Sequence, residues 1–163
     1  FGFYEHRILN WLEINNEEWE SQYFEIIDFL RNYNVYRIGV DSQGVGGAVA
    51  ERLQILMPKI DVVAVTSDAK TQNDRWVHLT ELIQRDQLVI PGHSKARRTR
   101  SWKRFNQQMS DLEKVYRGPY MLAAAPEEKG AFDDFPDSLA IACAMSVLDT
   151  MPMVSVSDNP FFR

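Results

Sequence analysis

Short apolar segments rich in β-branched residues alternate along the chain with longer segments that repeat their apolar residues at helical spacing. Strands are predicted at 7–14, 35–40, 61–66, 87–90 and 120–124. Helices are predicted at 17–33, from 47 to the stop at Pro58, and at 73–85, 101–116 and 137–148. Strands that alternate with helices in this way favour a layered α/β fold with a largely parallel central sheet.

The length and composition favour one domain. The chain has 163 residues and is 45% hydrophobic, which suffices for one core and leaves little for a second. We predict a domain over residues 1–151 and an extended tail over 152–163. Cys143 is the sole cysteine and lies in an apolar stretch, so we expect a buried thiol in a reducing, intracellular compartment. Because no apolar run approaches the roughly 20 residues that cross a bilayer, no membrane partner is expected.

The charge is unevenly distributed. The formal net charge is −5, yet six cations fall within ten residues that contain no acid, namely Lys95, Arg97, Arg98, Arg100, Lys103 and Arg104. Elsewhere acidic residues outnumber basic ones by eleven. Any contact with nucleic acid should therefore be local, because phosphate attraction depends on where cations cluster. Ser67 and Lys70, in the loop after a predicted strand, are further candidates for contacting a DNA phosphate or for orienting a water molecule. A solvated surface loop is the alternative in both places.

Asp41 lies at the end of a predicted buried strand and is followed by Gly44, Gly46 and Gly47. Glycines at such a position allow a tight turn and the close approach of a substrate. The alternative is that Asp41 only begins a turn or caps the next helix. A dinucleotide-binding loop is disfavoured, because the third glycine of the G-x-G-x-x-G pattern is replaced by Val49.

A second acidic group, Asp133, Asp134 and Asp137, lies in the segment FDDFPDSLAIACAM at the start of a predicted helix. Asp134 and Asp137 are three residues apart and would share one side of the first turn. Helix capping explains one or two of these acids and three less well. Together with Asp41, they would supply the oxygen ligands that Mg²⁺ and Mn²⁺ prefer. Two such ions can hydrolyse a phosphodiester without a protein nucleophile.

The order of these motifs resembles the nuclease domain of the large terminase subunit of tailed bacteriophages, a member of the RNase H-like and RuvC-like superfamily. The resemblance is carried by the strand that ends in Asp41, the GVGG turn and the later DDFPDSLAIA helix start. It extends to the segment SDAKTQNDRWVHLTELIQRDQLVIP and the NPFFR ending. The helix start also resembles RuvC-type junction resolvases. Terminases commonly have HDD in the late motif, whereas Phe132 stands at the histidine position here.

This resemblance implies a mixed central sheet flanked by helices and a metal-dependent endonuclease of viral DNA packaging. Asp41, Asp134 and Asp137 would be the catalytic and metal-binding residues, with Asp133 as a further ligand, and the cofactors would be two Mg²⁺ or Mn²⁺ ions. Implied partners are concatemeric double-stranded DNA, the portal protein, the small terminase subunit and an ATPase domain upstream in the same polypeptide. The implied location is the cytoplasm of the infected bacterial host.

The chain departs from the family pattern at its beginning. Terminases place a first metal-binding Asp on an initial strand, upstream of the segment that matches residues 7–14. Neither Glu5 nor Glu13 occupies that place. We therefore expect the first strands to be missing and the chain alone to cut DNA weakly or not at all. A junction resolvase and a non-catalytic packaging module are the two alternatives.

Overall fold

The computed structural model describes residues 5–15, 18–127 and 130–147, and these contain six strands and six helices. Strands and helices alternate from β1 to α4. The strands are β1 (His6–Arg7), β2 (Arg37–Asp41), β3 (Asp61–Val65), β4 (Leu88–Val89), β5 (Glu113–Arg117) and β6 (Tyr120–Ala124). The helices are α1 (Trp19–Leu30), α2 (Gly46–Leu56), α3 (Ala69–Gln84), α4 (Ser94–Arg97), α5 (Arg100–Asp111) and α6 (Asp134–Val147).

The strands pair in three two-stranded ladders. β2 and β3 are parallel, with Arg37 opposite Asp61 and Asp41 opposite Val65. β1 and β4 are also parallel, whereas β5 and β6 are antiparallel. The expected mixture of parallel and antiparallel pairing is therefore present, although backbone hydrogen bonds do not join the three ladders into one sheet within the described ranges.

Two apolar clusters form the core. The larger one joins α3, α5 and α6 through Trp76, Leu79, Leu82, Phe105, Leu139, Ala140 and Cys143. The smaller one, around Tyr23, Leu53 and Met57, packs α1 and α2 against the β2–β3 ladder. Cys143 is buried as predicted, and its burial raises the pKa of the thiol to about 11.

Helix α6 lies directly against β2 because residue 39 has no side chain. A Cβ atom at Gly39 would stand 2.6 Å from Ile141 Cγ2 and 2.9 Å from Met145 Cγ. Arg37, at the start of β2, stabilises the same contact. Its Nη1 donates a hydrogen bond to the Met145 carbonyl oxygen at 3.3 Å. This approach brings the first turn of α6 towards the end of β2.

The segment 113–117 is a strand, so its assignment to a helix over 101–116 was wrong. Helix α5 ends at Asp111, and Leu112 takes the extended backbone conformation with φ −59° and ψ 130°. The chain then reverses at Gly118, whose φ of +61° a glycine adopts readily, and pairs with β6. Local apolar spacing favoured a helix, but pairing with the following strand decides the conformation.

Three other elements begin or end at residues that differ from the prediction. The predicted strand 7–14 is reduced to His6–Arg7. Helix α3 begins four residues before the predicted start, where the Asp68 side chain accepts a hydrogen bond from the Thr71 amide at 2.9 Å and caps the helix. Helix α6 begins at Asp134, three residues before the predicted start at 137. The tail predicted at 152–163 lies outside the described residues.

Among the described helices, none combines the length and apolar character that a membrane span requires.

We predict that Gly39→Ala destabilises the domain by about 1–3 kcal/mol, because the added methyl group must displace Ile141 or Met145 from a packed contact. The measurement is the free energy of unfolding in urea. The matched control is Gly47→Ala in α2, where a Cβ atom meets nothing within 4 Å. That control should change stability by less than about 1 kcal/mol, in the stabilising direction. Equal stability of Gly39→Ala and the wild type would contradict the packing described here.

Candidate active site

Asp41, the last residue of β2, points one carboxylate oxygen into a hydrogen-bonded loop. Its Oδ1 accepts from the Gln43 amide at 2.9 Å and from Ser67 Oγ at 2.8 Å. No hydrogen bond from the described residues reaches Oδ2. The chain turns sharply after Asp41, since a Cβ atom at Gly46 would lie 1.7 Å from the Asp41 carbonyl oxygen. Gly46 is thus the glycine that this turn requires.

The start of α6 is capped without the carboxylates of Asp134 and Asp137. The buried Gln108 side chain accepts from the Phe135 amide at 2.9 Å, which satisfies one of the free amides of the first turn. Asp133 ties the preceding loop to β6, because its Oδ2 accepts from the Ala125 amide at 3.0 Å. None of the three carboxylates therefore caps α6 through a hydrogen bond among the described residues: that of Asp133 bonds to the Ala125 amide, and those of Asp134 and Asp137 have no hydrogen-bond partner there.

Asp41, Asp134 and Asp137 line the same surface cavity, which has a volume of about 780 Å³. The charges of these residues also interact. Burial raises the pKa of Asp137 to about 6, and the negative charges of Asp133, Asp41 and Asp134 add to this effect, whereas Arg75 opposes it. The structure therefore brings together the two acidic groups that the sequence singled out. Their individual roles remain predictions.

The acids are neighbours, but they are not gathered into a complete metal cage. Within residues 5–15, 18–127 and 130–147, no three His, Cys, Asp or Glu side chains lie close enough together to hold an ion. The free Oδ2 of Asp41 and the unbonded carboxylates of Asp134 and Asp137 are the donors that a hard divalent cation prefers. The donor chemistry thus fits a metal, while the arrangement is open.

Arg75 is a site residue that the sequence interpretation missed. It lies on α3 with only 9% of its surface exposed. Its guanidinium donates to the Thr66 carbonyl oxygen at 2.8 Å and to Ser67 Oγ at 3.1 Å. A signal was available, because Arg75 shares a helix face with the buried Leu79 and Leu82. A cation on an apolar face requires polar partners inside the fold.

The basic stretch occupies α4 and the first half of α5, where Lys95, Arg97, Arg98, Arg100 and Lys103 are exposed. The Arg97 guanidinium lies over the Trp102 ring, 5.9 Å from its centroid. Trp102 is fixed in turn, because its Nε1 donates to the Pro91 carbonyl oxygen at 2.7 Å. The stretch is thus a structured surface that presents cations from two short helices.

Two of the predicted DNA-binding cations are engaged within the protein. Arg104 forms an ion pair with Glu13, and its guanidinium lies 5.6 Å from the centroid of the Phe132 ring. Lys70 pairs with Asp74 on the next turn of α3 at 2.9 Å. Phe132 immediately precedes Asp133, so Arg104 connects the basic stretch to the acidic loop. Arg104 is therefore a structural link, and its role as a phosphate ligand stays a prediction.

The fold and the paired acids define a class of α/β domain in which a strand end and a helix start share one acidic cavity. A family model, the terminase RNaseH-like domain, matches residues 2–146. The chain therefore belongs to the terminase RNaseH-like domain family. The RNase H-like fold expected from the sequence is confirmed.

Three solved structures of the large terminase nuclease from the thermophilic phage G20c are similar to this chain. The magnesium-bound form matches with a TM-score of 0.61 and 20% identity over 80% of this chain. The cobalt-bound form matches with a TM-score of 0.61 and 19% identity over 80% of this chain. The third structure matches with a TM-score of 0.59 and 19% identity, also over 80% of this chain. The match spans 64% of the length of those nuclease chains. Curated protein sequences gave no match.

We predict that Asp137 makes the metal-free domain less stable as the pH rises. The folded-state pKa of Asp137 is raised from 3.8 to about 6. The favourable contribution of the protonated form is therefore complete below the ordinary pKa and is lost as the pH rises through the raised value. In EDTA, Asp137→Asn should be more stable than the wild type above pH 6, and this advantage should vanish near pH 4.

The measurement is urea unfolding across this pH range, with the exposed Asp28→Asn as the control that should track the wild type. A stability difference between Asp137→Asn and the wild type that does not change with pH would show that Asp137 does not titrate in this way.

Proposed function

We propose that this chain is the nuclease domain of a phage DNA-packaging terminase and that it hydrolyses phosphodiester bonds of concatemeric double-stranded DNA. The observation that carries the proposal is the convergence of Asp41, Asp134 and Asp137 on one cavity in a domain of the terminase family. The similar nuclease from phage G20c has been solved with bound magnesium and with bound cobalt. We extend this binding of divalent metal to the present chain, with two Mg²⁺ or Mn²⁺ ions as the proposed cofactors.

The residues that would hold the ions are Asp41, Asp134 and Asp137, with Asp133 as a neighbour that mainly secures the loop. When bound, such ions would activate a water molecule and stabilise the leaving oxygen. The residues of the chain prepare the site. Two hydrogen bonds orient Asp41 through Oδ1 and leave Oδ2 available. Asp137 holds its proton below about pH 6 and becomes a charged ligand above it.

The DNA backbone would be held by the exposed cations of α4 and α5, which attract phosphate without selecting a sequence. This surface borders the acidic loop, because Arg104 contacts Phe132 just before Asp133. A duplex that lies across α5 would thus approach the cavity. We also propose the partners implied by the family: the portal protein, the small terminase subunit and an ATPase domain in the same polypeptide. The proposed location is the cytoplasm of the infected bacterium.

We predict that Asp41→Ala and Asp137→Ala each reduce Mn²⁺-dependent cleavage of plasmid DNA by at least about 100-fold, because each variant loses a proposed metal ligand. The assay uses the longer terminase polypeptide that we propose contains this chain, with EDTA as the metal-free reference. Asp74→Ala, an exposed acid on α3, is the matched control and should cut at the wild-type rate. Full activity of Asp41→Ala would refute the proposed site.

We predict that Arg98→Ala and Arg100→Ala weaken binding to linear duplex DNA equally for unrelated sequences. The affinity falls as the salt concentration rises. Each substitution should make the slope of log affinity against log salt less steep by about 1, because one phosphate contact is lost. Fluorescence anisotropy at several salt concentrations provides the measurement. Arg31→Ala, an exposed cation at the end of α1, should leave the slope unchanged. A uniform effect of all three substitutions would indicate a general charge effect with no DNA-binding surface on α4 and α5.

The same assays separate the two alternatives. A junction resolvase would prefer four-way junctions to linear duplexes, whereas a terminase nuclease would cut linear DNA. A packaging module without catalysis would show neither Mn²⁺-dependent cutting nor Mn²⁺-dependent stabilisation.

A further inference from the structure

Arg75 is a buried cation whose polar contacts are directed at one loop. Within the described residues it forms no salt bridge, and its two hydrogen bonds go to the Thr66 carbonyl oxygen and to Ser67 Oγ. The loop of Thr66 and Ser67 follows β3, next to the end of β2 where Asp41 lies. A guanidinium is costly to bury, so its placement here needs an explanation beyond packing.

The hydrogen-bond chemistry fixes the direction of the chain from Arg75 to Asp41. Arginine has donors and no acceptor, and an ionised carboxylate has acceptors only. Ser67 Oγ must therefore accept from Arg75 at 3.1 Å and give its one proton to Asp41 Oδ1 at 2.8 Å. A donor that polarises a hydroxyl also strengthens the next hydrogen bond in the chain.

The backbone of Ser67 is held in place independently of Arg75. Its carbonyl oxygen accepts from Gln43 Nε2 and from Gln72 Nε2, both at 3.0 Å. The Thr71 hydroxyl donates to the neighbouring Thr66 carbonyl oxygen at 2.9 Å. Because these contacts fix the backbone, the bond from Arg75 is left to set the orientation of the Ser67 hydroxyl.

We infer that Arg75 is a positioning residue that acts through Ser67 to hold Asp41 Oδ1, so that Oδ2 stays free for a divalent cation in the acidic cavity. The inference rests on the proposed function, because only a metal site gives the free oxygen a purpose. It adds Arg75 to the residues that the sequence assigned to the site, and it gives Ser67 a role other than the phosphate or water contact considered from the sequence. Neither would touch the reacting atoms.

The first test measures binding of Mn²⁺ to the 163-residue chain by electron paramagnetic resonance, without DNA and without turnover. Ser67→Ala should weaken the affinity by about 10-fold or more, as loss of a partner that orients a metal ligand does. Ser67→Thr keeps the hydroxyl and should restore the affinity. Ser110→Ala, which removes an exposed hydroxyl on α5, is the control. Affinity of Ser67→Ala within about twofold of the wild type would overturn the inference.

Arg75→Lys separates geometry from charge. Lysine keeps the positive charge but lacks the planar fork that reaches Thr66 and Ser67 together. We expect its Mn²⁺ affinity to fall as in Ser67→Ala, whereas a purely electrostatic role would leave it unchanged. Wild-type affinity of Arg75→Lys would overturn the positioning role.

A metal-free comparison keeps the inference distinct from the proposed function. Urea unfolding of Ser67→Ala, Arg75→Lys and the double variant should give effects that do not add, because both substitutions break the same chain of hydrogen bonds. The effects of Ser67→Ala and Thr80→Ala on the free energy of unfolding should add, because these two residues share no contact. Additive effects of the Ser67 and Arg75 substitutions would refute the inference. If the longer terminase polypeptide shows no Mn²⁺-dependent cleavage while the effects remain non-additive, the proposed function fails and the chain of hydrogen bonds stands.

Discussion

The contact between α6 and β2 determines where the acidic groups of this domain meet. Gly39 removes the side chain that would hold the helix away from the strand, and Ile141 and Met145 fill the space. The first turn of the helix, with Asp134 and Asp137, then opens onto the cavity that contains Asp41 at the end of the strand. A bulkier residue at position 39 would shift the helix relative to the strand and separate the two groups.

Most helices and strands could be predicted because their apolar patterns are local. The β2–β3 ladder and α2 agree with the sequence to within one residue at most ends, since buried strands and amphipathic helices carry their own periodicity. Segment 113–117 could not be predicted in this way. Its spacing continues that of α5, and only the turn at Gly118 and the pairing with β6 make it a strand. Pairing between strands depends on a second segment of the chain, which the spacing within one segment does not reveal.

The acids of the site could be predicted from the sequence, but the hydrogen bonds that orient Asp41 could not. Asp41 and Asp137 stand where strands end and a helix begins, which sequence patterns indicate. Arg75 donates hydrogen bonds to Thr66 and Ser67, which lie in a loop whose shape depends on the whole fold. The basic stretch was found from charge alone, yet its members differ, because Arg104 is committed to Glu13 and Phe132. The charge pattern predicts where a basic surface lies, but it does not show which of its cations are already paired within the protein.

The proposed activity depends on one cavity in which carboxylates from a strand end and a helix start can share a cation. The most direct measurement is a crystal structure soaked in Mn²⁺, with the ions located by anomalous scattering. We predict a Mn²⁺ ion in contact with Asp41 Oδ2 and the Asp137 carboxylate. Mn²⁺ bound only at unrelated surface acids, with Asp41 and Asp137 left without an ion at saturating metal, would contradict the account.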